Sequence, residues 1–389
     1  MTPDTATRPQ RLRIAVLERV FSTSAGGAER YCASLVQHLA DKHDIHVYAQ
    51  DIQVQYPHVV FHQVPLFCRR PRWVNQIAFA LYTWWHTRDG FDVVHSHENT
   101  WHGQVQTVHV LPFTYLWFSQ HHGWQLFLRY LQWLTSPRLL TYWGLEKLRL
   151  RKSKAKWLVA VSDPVKLILE KLSPLMREDI VVITPGLEST SVPTLEEKQQ
   201  ARKNLHLPTD GQCLVWVGNN AVKKGLPALL GALARLPDSV FLLMIGRAAP
   251  DSAWRKQVAA LGLESRVYHQ GVLDDITVAY LAADVLVHPT LEDTFGMVVL
   301  EAMGHGVPVI VSAAQYCGIA ASLQHLNQAW ILPNPSDIAD LALAIEKTLA
   351  PTQHAAFSHA AIAWARDQNW SQRAQLQEAV YFQVVPKKA

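Results

Sequence analysis

The chain has 389 residues, a length that predicts two or three domains and suffices to bury more than one core. Lys plus Arg number 36 against 32 Asp plus Glu, and a net charge of only +4 argues against a nucleic-acid coat or an acidic tail protein. Hydrophobic residues at 49% and charged residues at 17% exclude general disorder and predict some apolar surface that water does not solvate.

No apolar run approaches the roughly 18 residues that a membrane span needs. The opening residues Met1 to Asp4 lack the charged-then-apolar pattern of a secretory signal. Cys32, Cys68, Cys213 and Cys317 are far apart, form no metal-ligand spacing, and read as small hydrophobes in a reducing cytoplasm. Of the 14 tryptophans, nine lie between Trp73 and Trp157, an excess that needs a local cause.

Residues 1–10 are polar, contain two prolines and read as a loose tail. Short Val- and Ile-rich runs then alternate with helical patterns: Ile14 to Leu17, Ile45 to Tyr48, Val93 to His95, Gln106 to His109, Leu158 to Val161 and Ile180 to Ile183. Such runs separated by helices predict parallel strands joined by crossover helices, one doubly wound layer.

Within this half, residues 113–157 interleave aromatics with a basic end, Lys147, Arg149, Arg151, Lys152, Lys154 and Lys156. Three readings stand open, one of them a nucleic-acid groove, which the lack of basic excess in the rest of the chain disfavours. Indole rings and cations suit lipid headgroups, which would make this a membrane-facing segment, joined by the stretch from Trp73 to Trp85. Alternatively the segment is an aromatic-rich helix pair in the core with a solvated end.

From Leu187 to Gly211 the composition turns to Ser, Thr, Glu, Lys, Gln and Pro, the pattern of a linker with one surface helix. A second series follows: Leu214 to Val217, Val240 to Ile245, Val267 to His269, Val285 to His288, Val307 to Val311 and Ala329 to Leu332. The fold class expected is therefore α/β, with two Rossmann-like doubly wound parallel-sheet domains facing a cleft. Residues 1–190 form the first domain, 191–365 the second, and 366–389 a helix crossing back toward the first. Ligands of parallel sheets sit at the carboxyl ends of the strands.

The sharpest motif lies in such a loop. After the strand ending at His288, Asp293 stands in the loop, Phe295-Gly296 opens a helix that continues as Met297-Val298, and Glu301 follows on it. A small-residue loop and a helix N-terminus aim backbone N–H groups at one point, which suits a phosphate. Carboxylates accept hydrogen bonds at both oxygens and suit paired sugar hydroxyls. Read alone, Asp293 is equally well a cap on an ordinary connection. The second motif is Gly218, then Lys223-Lys224-Gly225, at another strand end of the same layer. Two ammonium groups there neutralise a diphosphate without a metal ion, although such a pair alone is more often a solvated surface feature. His95, His97, His102 and His109 raise the question of a metal, but only Glu98 stands near them at ligand spacing; they read as polar lining groups, and no metal site is expected.

Asp293 to Glu301, the following Ala-Met-Gly-His-Gly-Val-Pro-Val, and Gly218 with Lys223-Lys224-Gly225 together resemble the donor half of the retaining glycosyltransferases of family 4, which have the GT-B fold. Phe295-Gly296 and Glu301 match the family pattern, whereas Asp293 replaces its first glutamate. Gly26-Gly27-Ala28 resembles the family's glycine loop, Gln106 to His109 its strand-end histidine, and Pro185-Gly186 its interdomain element. Lys223 to Gly225 and Ala314 to Gly318 are similar to lipopolysaccharide-core glucosyltransferases.

The resemblance implies that Lys223, Lys224 and the helix start hold the diphosphate, with Gly26, Gly27 and Gly218 as close-approach positions. It implies that Glu301 holds the ribose, that backbone at Gly271 to Leu273 flanks the base, and that Asp293 and His109 orient the sugar. The expected function is retaining, metal-independent transfer from a nucleotide sugar, a UDP-sugar, to a cell-envelope glycolipid or polysaccharide precursor at the cytoplasmic membrane face. No cofactor beyond that co-substrate and no nucleic-acid partner are expected. The alternatives are a non-catalytic nucleotide-sugar or lipid-binding module, and a sugar-nucleotide epimerase.

Overall fold

The computed structural model describes residues 11–119, 121–153, 155–247 and 253–385, so the N-terminal tail read from the sequence lies outside the described residues. The chain forms two compact units. The first comprises residues up to 161, 165–183 and the segment from Trp370 onward; the second comprises 162–164 and 184–369.

In the first unit seven strands form one parallel sheet: β1 (Arg13–Leu17), β2 (Asp44–Ala49), β3 (Val59–Gln63), β4 (Val93–Ser96), β5 (Val105–Val108), β6 (Trp157–Ala160) and β7 (Ile180–Val182). Their spatial order is β3-β2-β1-β4-β5-β6-β7, the reversal beside β1 that defines a doubly wound sheet. Strand β3 is absent from the sequence reading. It is a sheet-edge strand whose residues are half-buried or exposed, so it lacks the continuous apolar run that marks a central parallel strand.

The final helix, Trp370–Val384, packs in this unit. Trp370 meets Tyr31 edge-on with centroids 5.2 Å apart, and Tyr381 Oη lies 2.7 Å from His95 Nδ1.

Within residues 113–157 the two helices differ, and Pro137–Arg149 buries Leu139 and Leu145. Helix Gly123–Thr135 buries none of its residues, and it is no part of a core. Trp124, Phe127, Leu131 and Leu134 are 69%, 55%, 52% and 61% exposed, at spacings of three and four that line one helical face. Its other side stacks Tyr130 on Phe118 and Trp133 edge-on to Trp143 of the neighbouring helix Pro137–Arg149. No helix among the described residues is long and apolar enough to cross a membrane.

In the second unit six parallel strands follow: β8 (Gln212–Val217), β9 (Val240–Ile245), β10 (Val267–Gly271), β11 (Val285–His288), β12 (Val309–Ser312) and β13 (Trp330–Leu332), in the order β10-β9-β8-β11-β12-β13. Leu214, Leu242, Val287 and Ile310 from the strands pack with Leu229, Leu233, Leu341 and Ile345 from the covering helices. Ahead of this sheet, the expected surface helix is Leu195–Asn204. It is opened by a capping box between Thr194 and Glu197 and tied down by Arg202, whose guanidinium reaches Asp284 at 2.7 Å. The two sheets and their order are the α/β architecture that the strand periodicity predicts.

Candidate functional site

In the second unit the loops after β8 and β11 lie side by side. Leu291 donates its N–H to the Lys223 carbonyl at 2.8 Å, and Trp216 Nε1 donates to the Lys224 carbonyl at 2.9 Å, which fixes the lysine loop from both sides. Gly225 caps helix Leu226–Leu233 in the left-handed region at φ 69, where a Cβ would stand 1.8 Å from the Pro289 carbonyl oxygen. Only glycine permits the two loops to approach so closely.

Gly296 has the same role for helix Met297–Gly304, with φ 100 and a Cβ position 2.7 Å from Cys317 Sγ. The helix's first amides, on Met297 and Val298, have no carbonyl of their own helix to bond. The segment from Ala314 to Ile319 braces this loop: Asp293 donates its N–H to Tyr316 O at 2.7 Å, and Ile319 N donates to Phe295 O at 2.7 Å.

Lys224 Nζ lies 2.5 Å from Asp293 Oδ2 and 3.4 Å from the Glu292 carbonyl, and Lys223 Nζ lies 2.9 Å from Glu292 Oε1. Each lysine therefore has a carboxylate partner. Asp293 also accepts from His288 Nε2 at 3.1 Å and from Phe295 N at 3.3 Å. Burial pushes the Asp293 carboxyl up, but the His288 hydrogen bond and the Lys224 charge outweigh it and hold the group well below the usual carboxylate range. One turn into the helix, Glu301 Oε2 accepts from Tyr280 Oη at 2.7 Å, and Tyr280 stacks on His305 at 5.8 Å between centroids. The tyrosine is 1% exposed and thereby fixes the direction of the carboxylate.

Beside this constellation is a cavity of about 250 Å³ lined by Trp216, Asn219, Gly246, Arg247, Trp254 and His269. Asn219 Oδ1 accepts the Arg247 N–H at 2.9 Å, and His269 Nε2 lies 2.9 Å from the Gly246 carbonyl. Sequence reasoning missed Asn219 and Arg247. The signal was available, since each follows a glycine immediately after a strand end. Gly271 ends β10 and its carbonyl accepts from Gly246 N at 2.7 Å; Leu273 follows, half-buried, in the loop.

Gly26, Gly27 and His109 belong to the first unit. Gly26 caps helix Gly27–Leu39 in extended conformation, and both glycines are exposed. His109 Nε2 lies 2.9 Å from His97 Nδ1, and the two rings stack at 5.2 Å. Burial lowers the pKa of His109 to about 3, with help from the Arg149 charge; burial and the neighbouring His109 charge lower His95 to about 3, and His97 falls for the same reasons.

These histidines bind fewer protons in the native than in the unfolded chain between their ordinary value near 6.5 and about 3, so stability falls as pH falls through that window. Unfolding free energy measured by urea titration with tryptophan fluorescence is expected to drop below pH 6.5 by about 1.4 kcal/mol per pH unit for each histidine that stays neutral. A flat profile down to pH 5 would contradict this burial.

Among the described residues, two groups place potential metal-ligand atoms within 4.8 Å of one another: Glu18, Cys32 and His97, and His288, Asp293 and Cys317. Burial pushes both thiols up, toward the protonated form that a metal would have to displace. Asp293 is moreover already committed to Lys224 and His288.

Two family models match the chain, "Glycosyltransferase Family 4" over residues 25–190 and "Glycosyl transferases group 1" over 197–364. The lipopolysaccharide glucosyltransferase WaaG of Escherichia coli is 26% identical over 225 residues, 56% of this chain and 59% of its own length. The alignment thus spans little more than half of that relative. The crystal structure of WaaG, a glycosyltransferase involved in lipopolysaccharide biosynthesis, superposes with a TM-score of 0.81 at 21% identity over 96% of this chain and 100% of that one. HepE from Anabaena in complex with UDP-glucose gives 0.72 at 18% identity over 95% and 100% of the two chains. At these identities the structures establish a common fold. With a family model on each half and the two parallel sheets that the GT-B fold requires, the chain belongs to glycosyltransferase family 4.

Proposed function

We propose that this chain transfers a hexose with retention of configuration from a nucleotide sugar, UDP-glucose or a close analogue, to a cell-envelope glycolipid or polysaccharide precursor such as lipopolysaccharide. The observation that carries the reading is the grouping of Lys224, the start of helix Met297–Gly304 and Glu301 at the carboxyl end of one parallel sheet. An ammonium has three donors, and Lys224 directs two of them to Asp293 and the Glu292 carbonyl. A third serves the diphosphate, together with Lys223 and the helix amides.

Glu301, aimed by Tyr280, takes the ribose hydroxyls, and the Asn219–Arg247 cavity joins Gly271 and Leu273 in flanking the rest of the nucleotide. Asp293 acts chiefly by holding Lys224 in place. In the transfer step the acceptor oxygen bonds to the anomeric carbon as the bond to the diphosphate oxygen breaks. The acceptor proton passes to that departing phosphate oxygen, so the new bond forms on the face the diphosphate leaves. Positive charge at Lys223 and Lys224 takes the place of a metal ion in this account.

The exposed Trp124–Leu134 face, with Arg129 over the Trp117 ring at 4.4 Å, suits the headgroup layer of an anionic membrane. Peripheral attachment at the cytoplasmic face brings the protein to a lipid-linked acceptor. The protein is expected to sediment with anionic vesicles, and Trp124→Ser with Phe127→Ser to reduce that fraction; equal sedimentation would contradict the assignment. The test of the activity is turnover of labelled UDP-glucose in excess EDTA, with the anomeric configuration of the product read by NMR. Transfer or slow hydrolysis with retention is expected, whereas a strict metal requirement or an inverted product would refute the mechanism.

A further inference from the structure

The two lysines of the loop after β8 are paired in different ways. Asp293 is held by Lys224, by His288 Nε2 at 3.1 Å and by the Phe295 N–H at 3.3 Å, whereas Lys223 is the one partner of the Glu292 carboxylate among the described residues. The Lys223 and Glu292 side chains are 55% and 34% exposed, and an ion pair so open to water is weak. Another anion therefore recruits Lys223 at little cost.

The backbone nevertheless keeps the two charges together. Thr290 is fully buried; its Oγ1 lies 3.1 Å from the Lys223 carbonyl and 3.1 Å from the Glu292 carbonyl, and it accepts the Glu292 N–H at 3.3 Å. The Lys223 N–H donates to Asn220 Oδ1 at 3.0 Å, and Lys224 Nζ lies 3.4 Å from the Glu292 carbonyl. With both main chains pinned, an anion that takes up Lys223 has the Glu292 carboxylate as its neighbour.

Sugar transfer changes the charge that this carboxylate faces. In a nucleotide sugar the terminal phosphorus is a diester with a single negative charge. Once the sugar has left it is a monoester, whose second ionisation near about 6 brings it close to two charges at about pH 8. A fixed carboxylate thus repels the product by one charge more than the donor. At a half-exposed site one extra unit charge changes an affinity by a factor of about two to five.

We propose that Glu292 is a specificity-determining residue of the donor site: its carboxylate competes with the diphosphate for Lys223 and disfavours the released nucleoside diphosphate relative to the nucleotide sugar, which limits inhibition by the product. The proposal rests on the sugar-transfer reading, because that reading brings a diphosphate to Lys223. Titration calorimetry on the full chain at about pH 8 and low ionic strength, with UDP and with UDP-glucose in the absence of acceptor, reads the two affinities.

Glu292→Gln is expected to tighten UDP about threefold to fivefold and UDP-glucose less than twofold. In about 0.5 M salt, where charges are screened within a few ångströms, the gain should shrink. Glu292→Asp keeps the charge and should keep the wild-type ratio of the two affinities. A merely structural effect would shift both ligands alike and survive the salt. Unchanged or weaker UDP binding by Glu292→Gln, equal gains for the two ligands, or a Glu292→Asp ratio equal to that of Glu292→Gln would overturn the proposal. The wild-type protein scores the underlying reading separately. If it binds neither ligand, the transfer reading fails and this proposal falls with it, whereas binding with an unaltered ratio in Glu292→Gln removes the role of Glu292 alone.

Discussion

Replacing Glu301 with alanine is expected to lower kcat/KM for the nucleotide sugar about a hundredfold while leaving the fold intact. A carboxylate that accepts two ribose hydroxyls makes two hydrogen bonds to a charged group, each worth about 1.5–3 kcal/mol, and about 3 kcal/mol corresponds to roughly two powers of ten. Glu301 is only half-buried, and removing it takes one hydrogen-bond partner from Tyr280 Oη. Steady-state kinetics with UDP-glucose and with its 2'-deoxyribose analogue separate the role: the analogue should lose little further in the alanine variant. Full activity of Glu301→Ala would remove the proposed ribose contact.

The second large effect is at Lys224. Lys224→Ala is expected to weaken UDP binding by a factor of about ten to a hundred, in line with the loss of a charge-assisted contact, and to change uridine binding less than threefold. The same substitution strips the largely buried Asp293 of its cationic partner, leaving His288 and the Phe295 N–H as its donors. The variant should therefore also be less stable, because an ion pair broken on one side leaves a carboxylate poorly compensated. Titration calorimetry with UDP and uridine at one temperature, below the variant's thermal midpoint, checks the ratio. Equal losses for the two ligands would argue against a phosphate role for the lysine.

The architecture was legible because parallel strands buried on both faces read as continuous apolar runs. Val240 to Ile245 and Val285 to His288 are buried throughout. Strand β3 was not legible for the opposite reason: at a sheet edge, half-exposed Val-Val-Phe-His-Gln has no such run. The two loops were legible through Gly225 and Gly296, which the structure holds at positive φ against neighbouring atoms.

What local pattern could not supply was how the loops use their charges. Sequence spacing suggested two lysines free for a diphosphate, whereas Lys223 is paired with Glu292 and Lys224 with Asp293. Asn219 and Arg247 each follow a glycine at a strand end, a visible signal, but that those two strand ends adjoin is set only by the pairing in the folded sheet. The aromatic segment was ambiguous because a helix with an apolar face has the same periodicity whether that face meets protein or lipid. The tertiary structure leaves Trp124 and Leu134 exposed and buries Leu139 and Leu145 of the next helix.

The most direct measurement is a crystal structure of the full chain soaked with UDP. The diphosphate is expected within hydrogen-bond reach of Lys224 Nζ and the Met297 and Val298 amides, with the ribose on Glu301. UDP bound away from the carboxyl ends of β8 and β11, or with its diphosphate turned from Lys224 to face solvent, would contradict it.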